Sequence, residues 1–180
     1  MKTIVAALLF AAMIGSAYAV DPGDWETKPP DPTQTSKECP DGEAWDDKTK
    51  KCVELDAHLF NDADRYRAAR ELAYAGRYVA AGLALDAMTD QTDTVVLTYR
   101  GFIARKSGDW AAAEAFYGLA LAANPDNLFA RSYLGMGLVD QGDPGAARVQ
   151  LAEIRARGGR ETWPERALLM SIRSGGGAFY

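Results

Sequence analysis

One turn recurs along this sequence at a fixed spacing. Gly108-Asp109-Trp110 and Gly142-Asp143-Pro144 lie thirty-four residues apart, and aligning them places Gly101 on Gly135. A similar break occurs thirty-two residues earlier, at Gly76. A unit of this length is one pair of helices, and such a pair has to stack on copies of itself to bury its apolar face. The spacing therefore predicts an all-α array of helix pairs.

The boundaries of the units follow from residues that start and stop helices. Asp109 is a good N-cap, Gly108 allows the backbone angles of the turn before it, and Pro125 prevents the second helix from continuing. Pro144 occupies a first helical position, where its missing N–H costs nothing. We expect three helix pairs within residues 61–161, at 62–93, 94–127 and 128–161.

A single helix is expected after the third pair. Thr162 and Glu165 have the spacing of a capping box, and Pro164 falls in the first turn. The apolar residues of the segment share one helical face: Leu168, Leu169 and Ile172. We predict a capping helix over 162–173 that covers the last pair, followed by a flexible tail at 174–180.

The first 37 residues predict export and a tether. Residues 1–19 combine one lysine, a short apolar run and the small-residue ending Ala17-Tyr18-Ala19, which is typical of a signal peptide cleaved after Ala19. The expected location is the bacterial periplasm or the exterior, with no integral membrane segment after cleavage. Residues 20–37 are acidic and rich in proline, so we expect an extended linker there.

Two cysteines follow the linker. Cys39 and Cys52 are the only cysteines of an expected exported chain and most simply form one disulfide. The turn residues between them predict a hairpin over 38–54, in which the segment around Trp45 pairs with residues 51–53. With a single histidine, His58, the chain lacks the ligands of a closed structural zinc site, so no metal is expected.

Charge and composition argue against several functions. The net charge is −5 and the basic residues form no cluster, which gives no support for nucleic-acid binding. His58 is expected in a solvated linker, and no glycine-rich phosphate loop or calcium loop occurs. We therefore expect no catalytic residues and no cofactor.

The helix pairs resemble tetratricopeptide (TPR) repeats. Small residues recur where paired helices approach, larger ones recur between them, and a proline closes the second unit: Gly101, Gly135, Ala113, Ala147, then Leu134, Tyr117, Leu151, and Pro125. The resemblance implies a superhelix whose concave wall, formed by the first helix of each pair, binds peptides. It places nine residues on that wall: Tyr66, Arg70, Thr98, Phe102, Arg105, Phe129, Ser132, Met136 and Val139.

Two interpretations of these nine residues remain open. As a binding wall, their two arginines and aromatic strip predict a peptide with apolar anchors and at least one acidic group. Alternatively, Phe102 and Met136 pack between neighbouring repeats, and Arg70 or Arg105 pairs with acids on an adjacent helix. A further hypothesis is that the acidic linker occupies the wall.

The loop between the cysteines resembles part of the peritrophin-type chitin-binding modules. The shared pattern is C-P-x-G-x-x-W-D, then C-V after five residues, from Cys39 to Val53. Those modules have six cysteines and this segment has two. The resemblance implies sugar binding by Trp45, and the alternative is a pinned turn that caps the array.

Two functions are consistent with these observations. The favoured one is a non-catalytic periplasmic protein–protein interaction module that binds a segment of an envelope or secreted partner. The alternative is a glycan- or peptidoglycan-associated protein that uses the Trp45 loop. The sequence specifies neither the partner nor the oligomeric state.

Overall fold

The computed structural model describes residues 29–177. The predicted signal peptide, most of the linker and residues 178–180 lie outside the described residues. The described chain is mainly helical with one small hairpin: α1 (Gln34–Lys37), β1 (Glu43–Asp46), β2 (Lys51–Glu54), α2 (Asp62–Tyr74), α3 (Tyr78–Asp86), α4 (Thr94–Lys106), α5 (Trp110–Ala123), α6 (Leu128–Asp140), α7 (Pro144–Ala156) and α8 (Trp163–Ser174).

The six central helices pack as consecutive pairs. Helix α2 packs on α3, α4 on α5 and α6 on α7, and α8 then packs on both α6 and α7. The turns within the three pairs contain Gly76, Gly108 and Gly142, at φ values of 77°, 89° and 83°. This left-handed region is one that glycine enters without a steric penalty. The recurring glycine therefore marks the turn of each pair, as the spacing predicts.

Gly101 allows a close approach of α4 to its partner helix α5. A Cβ added to Gly101 of α4 would lie 2.5 Å from Cε1 of Tyr117 on α5. Gly135 is equally constrained, but by Leu168 of α8, whose Cδ1 would be 2.7 Å from an added Cβ. The equivalent glycines of two repeats thus contact different elements, because α8 packs directly on α6.

The N-caps are confirmed for two helices and wrong for a third. Asp109 accepts a hydrogen bond from the Ala112 N–H at 3.0 Å, and Asp143 makes the equivalent bond. Thr162 makes no cap hydrogen bond to its helix. Its hydroxyl donates to the Gly159 carbonyl instead. The predicted capping box is therefore absent: the Thr162 hydroxyl is directed to the Gly159 carbonyl, and the Glu165 carboxylate accepts from the Glu161 N–H instead of the Thr162 N–H.

The end of the predicted linker is folded. Residues 34–37 form α1, and the carboxylate of Glu71 on α2 holds the N-terminal end of this helix. Glu71 accepts hydrogen bonds from the Thr33 N–H at 2.7 Å, the Thr33 hydroxyl and the Ser36 N–H. An extended linker up to residue 37 is thus a wrong prediction. The segment folds because the Glu71 carboxylate accepts from the N–H groups at the start of α1, which would otherwise be bonded to water.

Arg77 holds the other end of α1. Its Nη1 donates to the carbonyl oxygens of Thr35, Ser36 and Cys39, the last at 2.8 Å, and its Nη2 contacts Asp41. Arg77 lies in the turn between α2 and α3. The segment before the hairpin is therefore attached to the first helix pair at both ends.

The hairpin and its disulfide are confirmed. Strands β1 and β2 pair antiparallel with Trp45 opposite Cys52 and Ala44 opposite Val53. Cys39 and Cys52 are bonded, with their Cα atoms 5.4 Å apart. A disulfide of this kind is compatible with an oxidising compartment.

The residues that follow α8 are partly held in place. The Gly176 N–H donates to the Ser171 carbonyl, and the Gly177 N–H donates to Asp140 Oδ1 at 3.2 Å. Residues 175–177 of the predicted flexible tail therefore contact α6 and α8. Across residues 29–177, every helix is too short or too polar to cross a lipid bilayer.

Candidate functional site

The nine residues predicted to form a peptide-binding wall lie mostly inside the protein. Seven are buried, and the Arg105 side chain is only 8% exposed. Phe129 is partly buried and packs against the same core. The buried seven are Tyr66, Arg70, Thr98, Phe102, Ser132, Met136 and Val139. A peptide cannot contact side chains that are already covered.

A cluster of aromatic rings covers the centre of this wall. The Phe102 ring lies 5.1 Å from the Tyr133 ring and 5.5 Å from the Tyr74 ring, measured between centroids. The Tyr74 and Tyr133 hydroxyls are 2.7 Å apart. Burial raises the pKa of Tyr133 and of Tyr99, so these hydroxyls stay neutral and act only as hydrogen-bonding groups.

Helix α8 closes the wall from the other end. The Ser132 hydroxyl donates to the Pro164 carbonyl at 2.8 Å. Burial raises the pKa of Tyr74, although hydrogen bonding to Tyr133 and to Trp163 opposes this effect. Tyr74 ends the first helix of the first pair, and Trp163 begins the last helix. Side chains from the first pair and from the last helix therefore interact with each other.

The two wall arginines serve the packing. Arg105 Nη1 donates to Asp140 Oδ2 at 2.7 Å, and its guanidinium carbon lies 5.8 Å from the centre of the Phe102 ring. Arg70 lies 5.7 Å from the centre of the Tyr74 ring. Pairing of Arg105 with an acid on the neighbouring helix α6 matches the alternative interpretation. The predicted open peptide wall is thus corrected: large aromatic side chains and α8 fill it.

An open cleft lies elsewhere, between the hairpin and α2. It has a volume of about 350 Å³, within the range of small ligand sites. Its apolar lining comes from Trp45 of β1 and from Leu59 and Phe60, which precede α2. Leu59 is 53% exposed, so its side chain is accessible at this cleft.

Charged side chains surround this cleft, and several already have partners. Hydrogen bonds from the Thr49 hydroxyl and N–H lower the pKa of Asp46, at 2.6 and 2.9 Å. Trp45 Nε1 donates to Asp47 Oδ1 at 3.3 Å. Asp64 caps α2 and contacts Arg67. The lining therefore combines an apolar floor with a charged rim, in which four carboxylates outnumber the two cations Lys48 and Arg67.

Trp45 was the one residue of this cleft that the sequence singled out. Leu59 and Phe60 lie in a short segment without helical or alternating periodicity, so no pattern marked them as part of a site. Their role depends on how the hairpin folds back onto α2, which Arg65 helps to fix by donating from Nε to the Leu55 carbonyl at 2.8 Å.

His58 is exposed, as expected of a linker histidine. Within the part of the chain that the structure describes, no three or more His, Cys, Asp and Glu side chains converge as a metal site would require.

Comparison with known proteins returned no relatives. No protein-family model matches the sequence, no curated protein matches it, and no solved structure matches its fold. Inference about function therefore starts from the residues and geometry of this chain.

Proposed function

We propose that this chain is a non-catalytic interaction module of the tetratricopeptide type, exported from a bacterial cytoplasm, that binds a segment of a partner protein. Three stacked helix pairs with a glycine in each turn support the repeat assignment. The main support for binding is the cleft between the hairpin and α2, because it is open, partly apolar and lined by charged side chains at its rim.

The chemistry of the cleft favours a peptide segment with an apolar anchor. The apolar surface of the cleft can bury one side chain of the bound peptide, and it is formed by Trp45, Leu59 and Phe60. Aromatic residues contribute strongly to the binding free energy of such contacts. Four carboxylates and two cations line the cleft, so its net charge favours basic groups beside that anchor. Such groups compete with Lys50 and Arg67, which pair with Asp47 and Asp64. The predicted inner wall is not part of this proposal.

Site-specific crosslinking tests the proposal. A photoreactive amino acid in place of Leu59 is expected to capture a protein in the native compartment, and the same amino acid in place of Leu119 is the matched control. The two leucines are 53% and 56% exposed, but Leu119 lies on α5, away from the cleft. Equal capture from both positions, or none from Leu59, contradicts the proposal.

Binding of a sugar is the second candidate, supported by Trp45. Its partly exposed side chain lines the cleft beside polar groups, and its Nε1 donates to Asp47. Retention of the protein on insoluble cell-wall polymer, lost in Trp45→Ala and kept in Trp45→Phe, is the expected result. Retention that is unchanged in Trp45→Ala removes this candidate.

A further inference from the structure

The outer face of α8 carries an exposed stripe of three residues. Arg166, Met170 and Arg173 are spaced by four and three residues, so they lie on one side of the helix. Met170 is 39% exposed. The opposite side of α8, which includes Leu168, is buried against α6 and α7. The last helix of the array thus presents a methionine between two cations.

The charges of the two ends of the array are opposite. Residues 29–61, before α2, carry eight acidic residues and four lysines, a net charge of −4. Residues 144–177, from α7 onward, carry six arginines and three glutamates, a net charge of +3. The cleft belongs to the acidic end and the α8 stripe to the basic end. Surfaces of opposite charge attract each other, so the acidic end of one copy attracts the basic end of another.

We propose that the α8 stripe of one copy docks in the cleft of a second copy, so that the protein associates head to tail. Met170 enters the apolar floor formed by Trp45 and Leu59, and its arginine neighbours compete with Lys50 and Arg67 for Asp47 and Asp64 at the rim. This inference rests on the proposed function, because it names the partner of the same cleft.

The stripe matches the cleft in chemistry. Methionine is flexible and fills irregular apolar spaces well. The two arginines are separated by about 10 Å along the helix axis, since each residue advances it by about 1.5 Å. One copy uses different surfaces for its two contacts, so the contact is heterologous and yields open chains or closed rings rather than a symmetric dimer.

Sedimentation velocity of the full chain over a range of concentrations is the first measurement. We expect association at low ionic strength that weakens as salt is added, because exposed charges are screened. A chain that remains monomeric at every concentration and at low salt overturns the inference.

Charge reversal locates the contact. Arg166→Glu and Arg173→Glu on the stripe, and Asp47→Arg on the cleft, are each expected to weaken association at least about tenfold, or about 1.4 kcal/mol. Arg148→Glu is the matched control: Arg148 is exposed on α7 and, like Arg166, donates to one backbone carbonyl. Circular dichroism and thermal unfolding verify that each variant is folded. Association that survives all three changes, or that falls equally in the control, contradicts the contact.

Mixing two defective variants gives the decisive result. The double variant Arg166→Glu/Arg173→Glu keeps an intact cleft, and Asp47→Arg keeps an intact stripe. Each alone is expected to be monomeric, and an equimolar mixture is expected to associate again. A mixture of folded variants that stays monomeric overturns stripe-to-cleft docking.

The same crosslinking position separates this inference from the proposed function. Capture of a peptide containing Met170 from position 59 supports docking of a second copy. Capture of only another protein, with the wild-type chain monomeric, overturns head-to-tail docking and leaves the proposed interaction module standing.

Discussion

Gly101 and Phe102 are neighbours in α4 and show how one residue type sets a helix–helix distance. An added Cβ at Gly101 would lie 2.5 Å from the Tyr117 ring, so only glycine permits this spacing. Phe102, one position later, is fully buried between Tyr74 and Tyr133. The small residue brings the helices together, and the large one then fills the space on the other side.

Gly101→Ala is expected to destabilise the protein by about 1–3 kcal/mol, because the fully buried ring of Tyr117 has no room to move. Gly118→Ala is the matched control, since Gly118 is also helical but has open space around its Cα. This change is expected to stabilise by up to about 1 kcal/mol through helix propensity. Urea denaturation measures both, and equal effects would contradict the account of close packing.

Glu165 of α8 forms an ion pair with Arg155 of α7. A hydrogen bond from Arg155, with another from the Glu161 N–H, lowers the pKa of Glu165 below its ordinary value. The distances are 2.5 Å to Arg155 Nε and 2.7 Å to the Glu161 nitrogen. A depressed folded-state pKa contributes stability above the unfolded pKa, and this contribution is lost as pH falls through the folded pKa.

Glu165→Gln is expected to lower the free energy of unfolding at pH 7 by about 1–2 kcal/mol, at the low end for hydrogen bonds to a charged group because the Arg155 side chain is 36% exposed. The difference from wild type should shrink below the ordinary pKa of 4.5 as Glu165 becomes protonated in the wild-type protein. Chemical denaturation between pH 3 and pH 7 provides the curves. Parallel curves over that whole interval contradict the assigned role.

At the scale of the elements, N-caps set where the second helix of two pairs begins. Asp109 and Asp143 each follow the turn glycine directly and accept from an N–H three residues later. Local chemistry alone fixes these starts, which is why the sequence placed them correctly. Thr162 had equally suitable local chemistry, yet the loop carbonyl of Gly159 took its hydroxyl.

Asp109→Ala should cost about 0.5–2 kcal/mol of stability, since it removes the hydrogen bond to the Ala112 N–H at the start of α5. Ser107→Ala, two residues earlier at an exposed position, is expected to stay within about 0.5 kcal/mol of wild type. Thermal unfolding of both variants is sufficient, and a null effect of Asp109→Ala would show that the cap does not stabilise α5.

At the scale of the molecule, α8 determines whether the array is open or closed. Its residue Leu168 is fully buried against Gly135, while Pro164 and Trp163 reach Ser132 and Tyr74. One short helix therefore contacts both the last pair and the first. The inner wall is closed by this helix together with the aromatic residues of α2, α4 and α6.

Leu168→Ala is expected to destabilise the whole domain by about 2–5 kcal/mol, because it leaves a cavity between α8 and α6. Met170→Ala, on the exposed stripe of the same helix, should change stability by less than about 0.5 kcal/mol at low protein concentration. Hydrogen exchange of Leu168→Ala should show faster exchange in α6 as well as in α8. Faster exchange confined to α8 would mean that α8 does not support the array.

The inner wall marks the limit of inference from helical period. Tyr66, Phe102 and Met136 belong to sets of residues with the same helical spacing in the three first helices, and all three are buried. The same period describes a face that binds a peptide and a face that packs on itself. Whether the face binds a peptide or packs internally depends on the volume of its side chains and on where α8 packs. Both depend on residues that are far apart in the chain.

The amino-acid sequence by itself determined the helix pairs, their turn glycines, two N-caps, the hairpin and the disulfide partners, because each depends on residues within about one repeat of one another. Tertiary structure alone decided that the predicted wall is buried, that α1 attaches to Glu71 and Arg77, and that a cleft opens beside Leu59. These features arise where separate elements of the chain meet, and no local pattern encodes the distance between such elements.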